Sequence, residues 1–139
     1  VGLEALSRGA ESAFFVDADK RCLAVIDENL AALGLTGKGK TSFGDILQDL
    51  SWIPYRSGTA KFDLVYMGPP YRDEENRPLP CSPPSLARVL EADLPKPDGL
   101  IMVQHHVKES VAVPEPWEQV RQEKYGDTFV DFIRRKAAV

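Results

Sequence analysis

The stretch Phe62-Asp63-Leu64-Val65-Tyr66-Met67-Gly68-Pro69-Pro70-Tyr71 decides the fold. Its first six residues are mostly apolar and include the β-branched and aromatic types that suit a pleated, buried surface. The run then stops at a glycine and two prolines, which can continue neither a helix nor a central strand. A short apolar run ended by such a turn reads as a strand of a parallel sheet. The tip also has chemical content. Two prolines freeze the backbone, so a carbonyl beside them is held in place as an acceptor. Tyr71 offers a flat face on which a base can stack. The same residues would equally make a rigid strand-to-loop turn with a packed tyrosine.

Upstream, Val1 to Arg8 has the leucine spacing of a helix, and Gly9 stands where a C-terminal glycine belongs. The helix opens without a capping residue, so the sequence is expected to continue before Val1. Ser12-Ala13-Phe14-Phe15-Val16 is a buried strand ending in Asp17-Ala18-Asp19. Asp19 suits the N-cap of a helix from Lys20 to Leu33, with Leu23, Ile26, Leu30 and Leu33 as its apolar stripe. Thr36 to Lys40 reads as a loop and Thr41-Ser42-Phe43 as a weak strand. Gly44-Asp45 follows, with Asp45 as the N-cap of a short helix from Ile46 to Leu50 that Pro54 ends.

Downstream, Arg72 to Pro84 is a polar, proline-rich loop of the length that is often functional. A helix over Ser85 to Ala92 and a strand over Gly99 to Gln104 come next. Trp117 to Lys124 and Thr128 to Ile133 form a hairpin about the turn Tyr125-Gly126-Asp127. Strands alternating with helices, then a hairpin, predict one α/β domain over residues 1–139, its sheet mainly parallel with an antiparallel end. Ligands of such sheets bind at the carboxyl ends of the strands. Those ends are Asp17 to Asp19, Gly44-Asp45, Gly68 to Tyr71 and Gln104 to His106. Asp17 there can accept from a ribose diol, and Asp45 from the amine of a base.

Composition excludes several classes. The 139 residues are 43% hydrophobic and 27% charged, with a net charge of −4, which suits a folded domain and not a disordered one. The chain is not basic overall, so any nucleic acid would meet one face of it. No apolar run approaches the roughly 20 residues of a membrane helix. Cys22 and Cys81 are too few for a disulfide scaffold, and a reduced, cytoplasmic setting follows. Cys22 reads as helix packing. His105 and His106 are adjacent on a strand, point to opposite faces and cannot hold one metal together. No metal site is expected.

Taken together and in order, these segments resemble the RsmD-type family of 16S rRNA guanine-N2 methyltransferases, which use S-adenosylmethionine. Gly2 to Ala10 resembles the helix after the family's glycine-rich cofactor loop, with Gly2 as that loop's last glycine. Phe15 to Asp19 resembles the second strand and its ribose-binding acid, Asp17. Asn29 to Leu35 resembles the helix end that follows, and Gly44-Asp45 the adenine-side motif. Gly68-Pro69-Pro70-Tyr71 resembles the catalytic Asp-Pro-Pro-Tyr/Phe tip, and Glu123 to Thr128 the closing hairpin.

The resemblance implies a Rossmann-like methyltransferase fold lacking its first strand and glycine loop, the first strand belonging between those at Ala13 and Phe62. Without it, two open edges, an altered sheet or strand exchange are expected. It also implies S-adenosylmethionine as cofactor, with Gly2, Asp17 and Asp45 holding it and Gly68 to Tyr71 facing the guanine. The implied partner is 16S rRNA or a small-subunit assembly intermediate. Gly68 stands where the family carries an acid, which implies weak transfer, raised by Gly68→Asp. The alternative is a degenerate methyltransferase-fold domain that binds RNA or protein. The Pro-Pro-Tyr tip and the hairpin speak against an unrelated nucleotide-dependent enzyme such as a dehydrogenase.

Overall fold

A computed structural model describes residues 2–68 and 82–136. Ten elements follow in order: α1 (Gly2–Ser7), β1 (Ala13–Asp17), α2 (Lys20–Ala32), β2 (Gly39–Phe43), α3 (Ile53–Ser57), β3 (Phe62–Met67), α4 (Ser82–Glu91), β4 (Pro95–His106), β5 (Trp117–Tyr125) and β6 (Thr128–Arg135). The chain is α/β, as its punctuation predicts. The strands form two sheets. β1 and β2 pair in parallel, and β3-β4-β6-β5 form a second sheet in that order. β3 and β4 are parallel, while β4–β6 and β6–β5 are antiparallel. Among the described residues no strand lies between β1 and β3. The sheet parts at the place where the resemblance puts a first strand.

Local chemistry explains the well-placed elements. Asp19 caps α2, its carboxylate accepting the Arg21 amide at 2.8 Å. Leu33 caps its other end, and Gly34 leaves with a φ of 69°. Gly126 supplies the positive φ of the β5–β6 turn.

Five expectations are corrected. The helix over Ile46 to Leu50 is absent: Asp45 Oδ1 accepts the Leu47 amide at 2.9 Å, and the Asp49 carboxylate accepts the Ser51 amide and hydroxyl. Such side-chain acceptors offer the backbone an alternative to helix. Pro54 does not end a helix but sits in the first turn of α3, where its missing N–H costs nothing. Gly39 and Lys40 belong to β2, not to a loop, because Gly39 must pass Leu30. A Cβ at Gly39 would stand 2.5 Å from Leu30 Cδ2. β4 is twice as long as expected, starting at Pro95. Its register slips between Phe62 and Leu64 of β3, a bulge that lets the prolines stay in the strand. Cys22, read as packing, is exposed on α2.

The core lies on one face of the second sheet. Ile101 and Val103 of β4 and Ile133 of β6 have no exposure at all, and Leu86 and Val89 of α4 close over them with Leu50 and Ile53. The segment between β2 and β3 is thereby pinned to the sheet, and it carries Asp45 at its start.

Candidate active site

One cavity of about 650 Å³ collects three strand ends. β1 contributes Asp17, Ala18 and Asp19, β2 contributes Gly44 and Asp45, and β3 contributes Tyr66, Met67 and Gly68. Phe14, Val16, Leu64 and Val65 add apolar wall from the facing edges of the two sheets. The volume lies within the range of roughly 300–1,000 Å³ usual for small-molecule sites.

The first two tips are tied together. The Gly44 amide donates to the Asp17 carbonyl at 3.1 Å. Asp17 Oδ1 accepts the Asp19 amide at 2.8 Å, which folds the tip back on itself. A carboxylate offers about four acceptor positions, so this turn leaves Asp17 with capacity towards the cavity. Asp19 is occupied by Arg21, which pairs with it at 3.0 Å and lowers its pKa.

Gly44 is demanded by packing. A Cβ there would lie 2.6 Å from Trp52 Cζ2 and 3.0 Å from Val16 Cγ1. Trp52 cannot simply swing aside, because it meets Phe14 edge-on at 6.3 Å and lies under Arg56. Gly44→Ala is therefore expected to cost about 1–3 kcal/mol by overpacking, seen as a lowered midpoint in a thermal melt. An unchanged midpoint would show that the Trp52 ring yields freely.

Asp17 also acts on its neighbour Cys22. The carboxylate charge, followed by desolvation, raises the thiol pKa. The thiolate is the reactive form. Asp17→Asn should accordingly speed alkylation of Cys22 by iodoacetamide near neutral pH, followed by peptide mass spectrometry. An unaltered rate would remove the carboxylate as the cause.

Of the residues expected at the site, Asp17, Asp45 and Gly68 meet around the cavity. Gly2 is not among its lining residues. The ring of Phe15 packs where a Gly2 side chain would begin, 2.3 Å from the Cβ position, so this glycine lets α1 approach β1. Pro69, Pro70 and Tyr71 lie outside the described residues. Sequence reasoning placed Gln104 at a strand end but gave it no role, and it passed over Tyr66. The Tyr66 hydroxyl donates to Gln104 Oε1 across the β3–β4 pair. Strand alternation was the available signal, since Tyr66 and Gly68 are two apart and share a face.

Parallel strands ending on one cavity, between helices and a closing antiparallel hairpin, make an α/β domain with its site at the strand ends. The chain belongs to the family described as Conserved hypothetical protein 95, matched over residues 1–134. YlbH of Bacillus subtilis, provisionally named an rRNA methyltransferase, is 29% identical over 139 residues, covering 98% of this chain and 70% of that protein. The ribosomal RNA small subunit methyltransferase D of Haemophilus influenzae is 23% identical over 126 residues, 91% of this chain and 61% of its own length. The Escherichia coli protein yhhF, provisionally named a methyltransferase, superposes with a TM-score of 0.77 at 22% identity, over 99% of this chain and 72% of that one. Another structural neighbour, SMU.776, was solved with S-adenosylhomocysteine and gives a TM-score of 0.70 at 16% identity, over 94% of this chain and 41% of that one.

Proposed function

We propose that this domain methylates the exocyclic N2 amine of a guanine in 16S rRNA, in the cytoplasm, with S-adenosylmethionine as donor. The observation that carries the reading is the convergence of Asp17, Asp45 and Gly68 on one cavity. The names of the relatives support the substrate class. The cavity suits the cofactor, since it combines strand-tip carboxylates with apolar walls.

When bound, the cofactor supplies a methyl group activated by a sulfonium. Asp17 accepts hydrogen bonds from the ribose hydroxyls. The tip at Asp45 receives the adenine side, and the tip after Met67 receives the guanine. Tyr71 stacks on that base after it leaves its helix. The partner is the rRNA itself or a small-subunit assembly intermediate. Alignment of amine and methyl group supplies much of the rate, with no metal and no covalent enzyme intermediate.

The test is transfer of labelled methyl from S-adenosylmethionine to unmodified small-subunit RNA, with the product nucleoside identified by mass spectrometry. N2-methylguanosine is the expected product. The absence of an acid at Gly68 favours a second reading, a degenerate fold that binds RNA or protein. S-adenosylhomocysteine titration separates the two, because the binding module is expected to show no heat of binding.

A further inference from the structure

The end of β3 carries a glycine, but the space above that glycine is filled. A Cβ built on Gly68 would stand 3.1 Å from Tyr66 Cε1 and 3.3 Å from Tyr66 Oη. The phenol thus leans along the strand to the spot where a side chain at position 68 would begin. Its hydroxyl donates to Gln104 Oε1. Gln104 is brought there by register: Met67 pairs with Val103, so the next residue of β4 flanks the β3 tip. Tyr66 and Gly68 both line the cavity. Gly68 has no positive φ, so its backbone would accept a side chain. What stands in the way is the Tyr66 ring.

The geometry points to Tyr66 as the acceptor that replaces the missing acid, with Gln104 as its positioning residue. This rests on the reading of the site as one that methylates an exocyclic amine. A hydroxyl oxygen has two acceptor lone pairs besides its one O–H. Donation to Gln104 Oε1 makes that oxygen a better acceptor, because linked hydrogen bonds polarise one another. The Tyr66 oxygen takes one N–H of the guanine amine and turns the nitrogen towards the methyl group. The nitrogen lone pair then forms the N–C bond while the C–S electron pair returns to sulfur as a thioether. The proton released from the nitrogen goes to water. Gln104 fixes the phenol and does not itself touch the base.

The test uses the natural chain and six variants, Tyr66→Val by itself among them, each checked by thermal melt and by S-adenosylhomocysteine titration. Tyr66→Phe keeps the ring and loses the oxygen. It should lower kcat on small-subunit RNA by about 10²-fold, the usual scale for one preorganised transition-state hydrogen bond, with cofactor affinity unmoved. Gln104→Leu should lower kcat with KM for RNA held, and Gln104→Glu, which keeps an acceptor oxygen, should recover most of that loss. Gly68→Asp alone, expected from the family resemblance to raise transfer, should instead lower turnover, since a Cβ 3.1 Å from Tyr66 Cε1 makes the phenol shift from its place. The pair Tyr66→Val with Gly68→Asp opens the space and supplies an acid, and should exceed either change alone by about tenfold or more. Equal turnover by Tyr66→Phe and the natural chain overturns the inference and leaves methyl transfer standing. So does a gain from Gly68→Asp alone. Should the natural chain and every variant bind cofactor yet transfer nothing to RNA, the methyl-transfer reading itself falls, and this inference with it.

Discussion

Asp131→Ala is expected to destabilise the domain by about 1–3 kcal/mol, the usual cost of leaving a buried hydrogen-bonding group without its partner. Asp131 on β6 is 2% exposed and His105 on β4 is equally buried. His105 Nε2 lies 2.7 Å from Asp131 Oδ2, and Gln122 of β5 donates to the other carboxylate oxygen at 2.7 Å. One carboxylate therefore binds three strands. Its removal leaves the buried His105 ring without its carboxylate, whereas the exposed Gln122 can turn to water, and a buried group without a partner costs more than its hydrogen bond contributes. Asp131→Asn keeps an acceptor and should cost less. Urea unfolding of both variants measures the difference. A loss under about 1 kcal/mol for Asp131→Ala would mean that the hairpin relaxes or admits water. The pair also matters to the site, because Gln104 directly precedes His105 and takes its position from the same strand.

The carboxyl ends of the strands were legible because their punctuation is local. Asp17 to Asp19 closes one apolar run, and Gly68-Pro69-Pro70 closes another, with no knowledge of what lies across the sheet. The hairpin was legible for the same reason, since Tyr125-Gly126-Asp127 bends the chain wherever it sits. Pairing is different. Whether β1 meets β2 alone, and where the sheet parts, depends on contacts between distant segments, which periodicity does not encode.

The misread elements show the same divide. Pro54 is a helix breaker by composition and a helix starter by position, and the deciding hydrogen bonds come from Asp45 and Asp49. Pro95 and Pro97 argue against a strand, yet a bulge opposite Phe62 and Leu64 accommodates them. Gly39 reads as a loop residue and Gly44 as part of a strand end, whereas packing demands both glycines, so that Leu30 and Trp52 can come close. At the site, the carboxylates were found because strand-tip acids have a chemical meaning by themselves. The Tyr66–Gln104 contact joins residues 38 apart in the sequence. His105 and Asp131 are 26 apart. Neither pair has a spacing that announces it.

Asp17→Ala is expected to weaken S-adenosylhomocysteine binding by about 1.5–3 kcal/mol, the range for hydrogen bonds to a charged acceptor. In affinity this is about one to two decades. The residue has two duties, and they must be told apart. Its Oδ1 accepts the Asp19 amide and so shapes the turn, while the remaining acceptor positions face the cavity. Alanine removes both. Asparagine keeps an oxygen for the Asp19 amide but replaces the other by an NH₂, which cannot accept from a diol. If the effect were only on the turn, Asp17→Asn would bind as the natural chain does. If the diol contact dominates, Asp17→Asn should lose nearly as much affinity as Asp17→Ala. Asp45→Ala should lose less than either, because water can take over the Leu47 amide at that exposed turn. Isothermal calorimetry on the full natural chain gives all four constants. Unchanged affinity for both Asp17 variants, with melts that show folded protein, would take Asp17 out of the cofactor site and leave it as a turn residue alone.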